Sequence, residues 1–565
     1  MENLTEIHRL IDKQLPLPEC APKIYVLGDT GAGKSTVLQH ILGTKKQSFP
    51  STLRRRTTVA ITEYVIDKTL PYAACFVLKT AIEVRASIEE ILEYTQSSIM
   101  KLIKKGKEID RKDVVDNLGE SADQRFRLKY IIEEEVLDSY ATRLISESET
   151  SSDSYEEEVE QAFIKDLAEE VFKVVQVTLK DLAGVTLSDG QATLIKEYDN
   201  RETCIDSVKM FLKAGKGSLS PLVSYARVQG RFGAEWLPED SSFVIIDGEG
   251  IGHDIKESAI LSSRHLDYFE FSDAIVLAEG AGKPFAAGGK SALKGVIQNG
   301  YVDNFYLMMT KLDELIDEDE EEQSDFKGRI QDVRREFKNL DQALKSDDIQ
   351  EERWSNNVFY TEGLKAKNTP TQSIDQLSAL ISMIVKRHSQ DRAVARMPVY
   401  DLEMLSAYLE KVSEEFHEEW KRLLIETPWQ SIKAFNRRMV WKHDEYKGLK
   451  PIAQLHDFII AKMYIFLADP KSWPCEISNS EKQESIDTIS KLFSSKALAV
   501  VRDRIHVLVE ELWEKGMQFS GAGSTMQRKK IIEDVWNESV PYYQDIEAIR
   551  FKDQIKQSLI SAMTV

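Results

Sequence analysis

The sequence contains few cysteines, no long apolar run and a shortage of positive charge. Cys20, Cys75, Cys204 and Cys475 are scattered through 565 residues, with neither metal-binding nor redox spacing, which excludes a disulfide framework and fits a reducing compartment. The nine histidines form no ligand cluster. His417 is followed by Glu418, Glu419 and Trp420 and lacks the second histidine of a zinc helix. No stretch approaches the ~18 consecutive apolar residues of a membrane span. Residues 458–467 come nearest, but Lys462 interrupts them and they read as a core helix. The start, Met1-Glu2-Asn3-Leu4-Thr5-Glu6, is neither basic nor followed by an apolar segment, so no secretion signal is expected. The expected location is cytoplasmic, with peripheral membrane contact as the variant of it. Net charge is −20, which opposes non-specific binding to nucleic acid or anionic lipid. That charge is uneven: residues 101–107 hold four lysines, while 147–160 and 313–325 are acidic. The Ser- and Glu-rich stretch 147–160 reads as a flexible connection. A length of 565 residues at 42% hydrophobic content allows several buried cores.

What is present is more specific. Gly28-Asp29-Thr30-Gly31-Ala32-Gly33-Lys34-Ser35 fills every fixed position of the phosphate-binding pattern G-x-x-x-x-G-K-[ST]. An apolar run, Ile24 to Leu27, precedes it as a strand, and Val37, Leu38, Ile41 and Leu42 follow with the spacing of a helix face. The glycines let backbone N–H groups turn toward a polyphosphate, and the helix start adds partial positive charge. Residues 28–36, Thr36 included, are therefore the expected phosphate cradle. Lys34 is expected to reach the β- and γ-phosphates and Ser35 to hold Mg²⁺.

Two further strand ends follow in the expected order. Phe243, Val244, Ile245 and Ile246 lead to Asp247-Gly248-Glu249-Gly250. Asp247 falls at a strand's C-terminal end, the edge where open α/β sheets bind ligands, and can hold Mg²⁺ opposite Ser35. Gly250 leaves a backbone N–H free to approach a γ-phosphate. Tyr306, Leu307, Met308 and Met309 lead to Thr310-Lys311-Leu312-Asp313, which resembles the [NT]-K-x-D guanine-reading motif of GTPases. An Asp313 carboxylate accepts from guanine N1–H and its amino group, while adenine leaves it unpaired at a cost of roughly 1–3 kcal/mol. Between the first two motifs, Thr57 and Thr58 stand just before the strand-like run 59–66. One of them is the expected switch threonine that joins Mg²⁺ when γ-phosphate is present, with Thr52 in reserve. Arg54, Arg55 and Arg56 are either a solvated charge run or the source of a transition-state arginine.

Together these motifs resemble the large GTPases of the dynamin and guanylate-binding-protein superfamily. Asp247-Gly248-Glu249-Gly250-Ile251-Gly252 is similar to the Asp-Thr-Glu-Gly-Leu-Gly of guanylate-binding proteins. Phe49-Pro50-Ser51-Thr52 with Thr57-Thr58-Val59-Ala60 also looks like a group of bacterial nucleotide-binding proteins. The resemblance covers the nucleotide motifs only. It implies GTP and Mg²⁺ as cofactors, hydrolysis, and a nucleotide-dependent homodimer or higher oligomer. A protein partner fits it too, and membrane contact comes from the resemblance with no residue to carry it. Ile251 stands where many small GTPases carry a water-orienting glutamine. Thr361-Glu362-Gly363 occupies the place of the last guanine-contacting loop without matching its usual Ser-Ala-Lys. Gly280-Ala281-Gly282-Lys283 and Gly288-Gly289-Lys290-Ser291 imitate phosphate loops and read as a mobile loop near the nucleotide.

The expected organisation is an N-terminal helix (1–20) and an α/β P-loop GTPase domain in two parts (21–79 and 216–372). A helical insertion (80–215) lies between the switch segments, and a helical C-terminal domain (373–565) follows. Ile88, Ile91, Leu92, Ile99, Leu102 and Ile103 mark one insertion helix, and Phe163, Leu167, Val171, Val174 and Leu182 another. Leu402, Leu405, Leu409, Val412, Phe416, Trp420 and Leu423 follow a near-heptad spacing that suits a bundle core. The functional expectation is a Mg²⁺-dependent GTPase whose helices couple nucleotide state to self-association or partner binding. The alternatives are a slow-hydrolysing scaffold, and an ATPase with Glu249 as general base.

Overall fold

Short apolar runs bounded by turns form strands, all but one edge strand largely buried. In the computed structural model these are β1 (Lys23–Gly28), β2 (Ile61–Asp67), β3 (Tyr72–Leu78), β4 (Ala192–Tyr198), β5 (Val223–Gly230), β6 (Ser242–Asp247), β7 (Ala274–Gly280), β8 (Phe305–Thr310) and β9 (Val358–Tyr360). They join one nine-stranded sheet in the order β4-β3-β5-β2-β6-β1-β7-β8-β9. The structure describes residues 4–564 apart from 30, 51–59, 121–125, 151–156, 249, 252–260, 283, 286, 316–324, 345–352, 389–396, 444, 474–476, 522 and 543–544. From β6 through β1, β7 and β8 to β9 every pair is parallel, as is β2 with β5. The β2–β6, β3–β5 and β3–β4 pairs are antiparallel. The α/β class with helical additions is the one expected.

Alternation along β1 sends its residues to opposite faces. Tyr25 and Leu27 join a core that continues through the helices Leu4–Asp12, Ser263–Phe271 and Ala287–Gln298 into the C-terminal bundle. Ile24 and Val26 join the other core, with the helices Lys34–Ile41 and Thr371–His388 and the insertion helices. In the bundle, Leu405, Leu409, Val412, Phe416 and Trp420 are buried along the helix Leu405–Glu426. Leu424 takes the buried place expected of Leu423, because 3.6 residues per turn drift from a strict seven-residue repeat. Trp536 packs on Trp420 at 4.7 Å and on Trp513 at 5.7 Å between ring centroids. Residues 458–467 lie in the helix Pro451–Ala468 of this core. Among the described residues no helix is long and apolar enough to cross a membrane.

The segment 80–215 is mostly helical but also supplies β4, an antiparallel edge strand on β3. Its first helix, Ala81–Lys104, starts at a Thr80–Glu83 capping box and buries Ile88, Ile91, Leu92 and Ile99, while Leu102 and Ile103 are half-buried. In the helix Glu157–Ala183, Leu167 and Val171 are buried, but Leu182, in the last turn, is exposed. The chain leaves the sheet after β3, returns through β4 on the outer side of β3, and enters β5 at the edge that also carries Asp247, with β5 and β2 lying between β3 and β6.

A second face of the helix Ala81–Lys104 meets the C-terminal helix Trp429–Val440 through charge. Lys433 pairs with Glu93 at 2.6 Å, Arg437 with Glu89 at 3.2 Å and Arg438 with Glu90 at 3.0 Å. Gln430 donates to Ser97, and His443 lies 3.5 Å from Glu83. Burial holds His443 down at about 4, so near neutral pH it meets Glu83 as a neutral hydrogen-bond partner.

Candidate functional site

The parallel strands β6, β1, β7 and β8 end on one side of the sheet, and their last residues meet there. Gly31 and Gly33 have φ of 86° and 92°, values that side chains resist. A Cβ on Gly33 would stand 2.9 Å from Thr310 Oγ1, and one on Gly28 would stand 2.4 Å from the Ala278 carbonyl oxygen. Glycine is therefore required for close packing of the loop on β7 and β8 as well as for its turn. The helix Lys34–Ile41 starts immediately after Gly33, so its unpaired N–H groups lie at the loop.

Lys34 and Asp247 are both buried, and Lys34 Nζ lies 2.9 Å from Asp247 Oδ1. Lys34 also donates to the Gly248 carbonyl. Pairing of Val26 with Asp247 across β1 and β6 sets this proximity. The donor set fits Mg²⁺: a buried carboxylate on Asp247 and the Ser35 hydroxyl are hard oxygen ligands. The Gly248 position is tight, since a Cβ there would stand 2.5 Å from Tyr25 Oη. Tyr25 hydrogen-bonds His265 Nδ1 at 2.6 Å, joining this strand end to the helix Ser263–Phe271.

Thr310 joins the third motif to the loop. Its hydroxyl donates to the Ala32 carbonyl and lies 3.2 Å from the Glu279 carbonyl. Lys311 takes a left-handed φ of 61°, and Asp313 beyond it is exposed. Asp313 Oδ1 accepts from the Gly363 N–H at 2.9 Å. The structure thus brings together Gly28, Asp29, Gly31, Ala32, Gly33, Lys34, Asp247, Thr310 and, through Gly363, Asp313. Ser35 and Thr36 sit in the first helical turn. Gly250 follows Asp247 on the same edge. Thr30, Thr52, Arg54, Arg55, Arg56, Thr57, Thr58 and Glu249 lie outside the described residues.

No protein-family model matches this chain, and no curated protein matches it. Among solved structures it is similar to two chains from an oligomerised bacterial dynamin pair described as sensing and tethering membranes over long range. One shares 13% identity, over 99% of this chain and 71% of that one, with a TM-score of 0.32. The other shares 12%, over 99% and 75%, with a TM-score of 0.31.

Two residues of the edge carry an unexpected load. Glu279, at the end of β7, is buried, and burial, helped by the charge of Asp29, pushes its carboxyl up to about 8. Burial pushes Asp29 up to about 6. Glu279 Oε1 and Asp29 Oδ1 have no hydrogen-bond partner. They face Gly289 and Gly288, where added Cβ atoms would stand 2.1 and 2.4 Å from those oxygens. Gly288 to Ser291 therefore form the first turn of the helix Ala287–Gln298 rather than a mobile loop. The sequence signal for Glu279 is an acid closing an otherwise apolar strand.

A carboxyl raised by burial stabilises the fold while protonated, and that contribution is lost as pH rises. For Glu279 the loss runs from its unfolded value near ~4.3 up to about 8. Glu279→Gln is expected to melt at the same temperature as wild type near pH 4.5 and progressively higher above it, by a few kcal/mol of stability at pH 8. A melting difference that stays constant with pH refutes this.

Proposed function

We propose that this chain is a Mg²⁺-dependent GTP-binding and GTP-hydrolysing protein whose helical regions couple nucleotide state to self-association or to a partner. The observation that carries the reading is Thr310, whose one hydroxyl joins the base-reading segment to the phosphate loop. Phosphate recognition by Lys34 and the helix N-terminus, metal binding by Ser35 and Asp247, and guanine reading by Asp313 then fall on one sheet edge. The test is binding and turnover of GTP against ATP. Equal affinity for the two overturns the guanine reading and leaves an ATPase with Glu249 as base.

The switch threonine and the metal ligand have a separate signature. Ser35→Ala, and alanine at whichever of Thr57 or Thr58 is the ligand, should lower turnover by about 100-fold while GDP affinity falls much less. Normal turnover by both Thr57→Ala and Thr58→Ala would return the role to Thr52.

A second reading, a scaffold that binds GTP and barely hydrolyses it, is favoured by Ile251. Its side chain is buried in the core, and its N–H donates to the Gly28 carbonyl at 3.3 Å. It offers no group to orient a water, so low turnover is expected in dilute solution. If pairing of monomers completes the site, specific activity rises with protein concentration, and an arginine in cis or trans adds on the order of 10³–10⁵. Single alanine variants at Arg54, Arg55 and Arg56 identify the donor. Turnover independent of concentration makes the scaffold the better description.

A further inference from the structure

The loop after β9 lacks the side chains expected of a guanine-contacting loop, yet it is held in place more firmly than a turn requires. Glu362 makes contacts on all sides. Its Oε2 accepts from Arg329 Nε at 3.0 Å and from Arg329 Nη2 at 2.6 Å. Its Oε1 accepts from Gln372 Nε2 at 3.1 Å. Its backbone N–H donates to Ser373 Oγ at 2.9 Å, and that hydroxyl donates back to its carbonyl at 2.9 Å. Glu362 is 6% exposed. It fastens the loop to the helix Phe326–Leu344 through Arg329 and to the helix Thr371–His388 through Gln372 and Ser373.

With the Glu362 N–H occupied, the next donor along the chain is Gly363. It sits at a left-handed φ of 58°, and a Cβ there would stand 3.0 Å from Pro370 Cδ. Its N–H points to Asp313 Oδ1. Asp313 is exposed on a short turn beyond β8, and Gly363 is its hydrogen-bond anchor. We infer that the Arg329–Glu362 pair is a positioning device for purine choice: it sets Gly363, Gly363 orients Asp313, and the oriented carboxylate discriminates guanine from adenine. Arg329 and Glu362 act through Asp313 and do not themselves touch the base. This rests on the guanine reading of residues 310–313.

A planar guanidinium making two bonds to one carboxylate is not replaced by an ammonium. Arg329→Ala removes the contact, Glu362→Gln removes the carboxylate's charge, and Arg329→Lys keeps the cation without the fork. The readouts are dissociation constants for fluorescent GTP and ATP and, by competition, for inorganic tripolyphosphate, which has no base. Wild type is measured first. A wild type without GTP preference overturns the guanine reading, and this inference with it. Given a wild-type preference, the variants are expected to lose about tenfold or more in the GTP-to-ATP ratio, the scale of one hydrogen bond to a charged group. Tripolyphosphate affinity is expected to stay within about twofold, and Arg329→Lys to fall between wild type and Arg329→Ala. An unchanged GTP-to-ATP ratio overturns the inference. So does equal weakening of GTP, ATP and tripolyphosphate, which would mark the pair as general support for the site.

Discussion

Lys34→Ala is expected to weaken GTP binding by about 10- to 100-fold, with ATP and tripolyphosphate weakened alike. Affinity and fold stability change separately. The variant loses a charged hydrogen bond to phosphate, worth about 1.5–3 kcal/mol, where ~1.4 kcal/mol is tenfold. It also strands Asp247, a buried carboxylate whose ion pair with Lys34 is short; breaking a buried pair from one side costs about 3–5 kcal/mol. The two effects separate in a double variant. Lys34→Ala with Asp247→Asn should regain most of the lost thermal stability and none of the triphosphate affinity. Wild-type GTP affinity in Lys34→Ala would remove the phosphate-loop assignment altogether.

Asp313→Asn is expected to exchange the base. The new amide donates where the carboxylate accepted, which suits the C2 carbonyl of xanthine and opposes the amino group of guanine. A site built to hydrogen-bond a polar group rejects the wrong partner strongly, so GTP affinity should fall by about 100-fold and xanthosine triphosphate should become the preferred ligand. The substitution keeps an oxygen that can accept from Gly363, whose bond to Asp313 is 2.9 Å. The loop therefore keeps its place, and the effect reads on the base alone. Unchanged discrimination among the three triphosphates would place base recognition elsewhere.

The parts of the candidate site made of consecutive residues are the parts legible in the sequence. The 28–35 loop, Asp247 and Thr310–Asp313 each follow a run of buried apolar residues, and such runs mark strand ends without knowledge of the fold. What escapes is chemistry assembled across the chain. Glu279 gains its raised carboxyl from burial against a helix that starts at Ala287. Glu362 gains its role from Arg329, 33 residues away. β4 escapes for another reason. It is an edge strand with Ile195 40% exposed, so its residues alternate weakly and the surrounding helical periodicity overwhelms them. The insertion helix 81–104 is legible from its apolar spacing. Its acidic face is legible only as solvated charge, because the cations that meet it lie some 340 residues later.

Those ion pairs change what the insertion can do. It starts just after β3, and its own strand β4 is hydrogen-bonded along β3, so it is tied to the sheet on one side. The contact with the helix Trp429–Val440 ties it to the C-terminal bundle on another. Any movement of the helix Ala81–Lys104 away from the bundle must therefore first break the lock between Glu89, Glu90 and Glu93 and Lys433, Arg437 and Arg438. Because these side chains are largely buried, salt screens them little, and the brace keeps its stiffness as ionic strength rises.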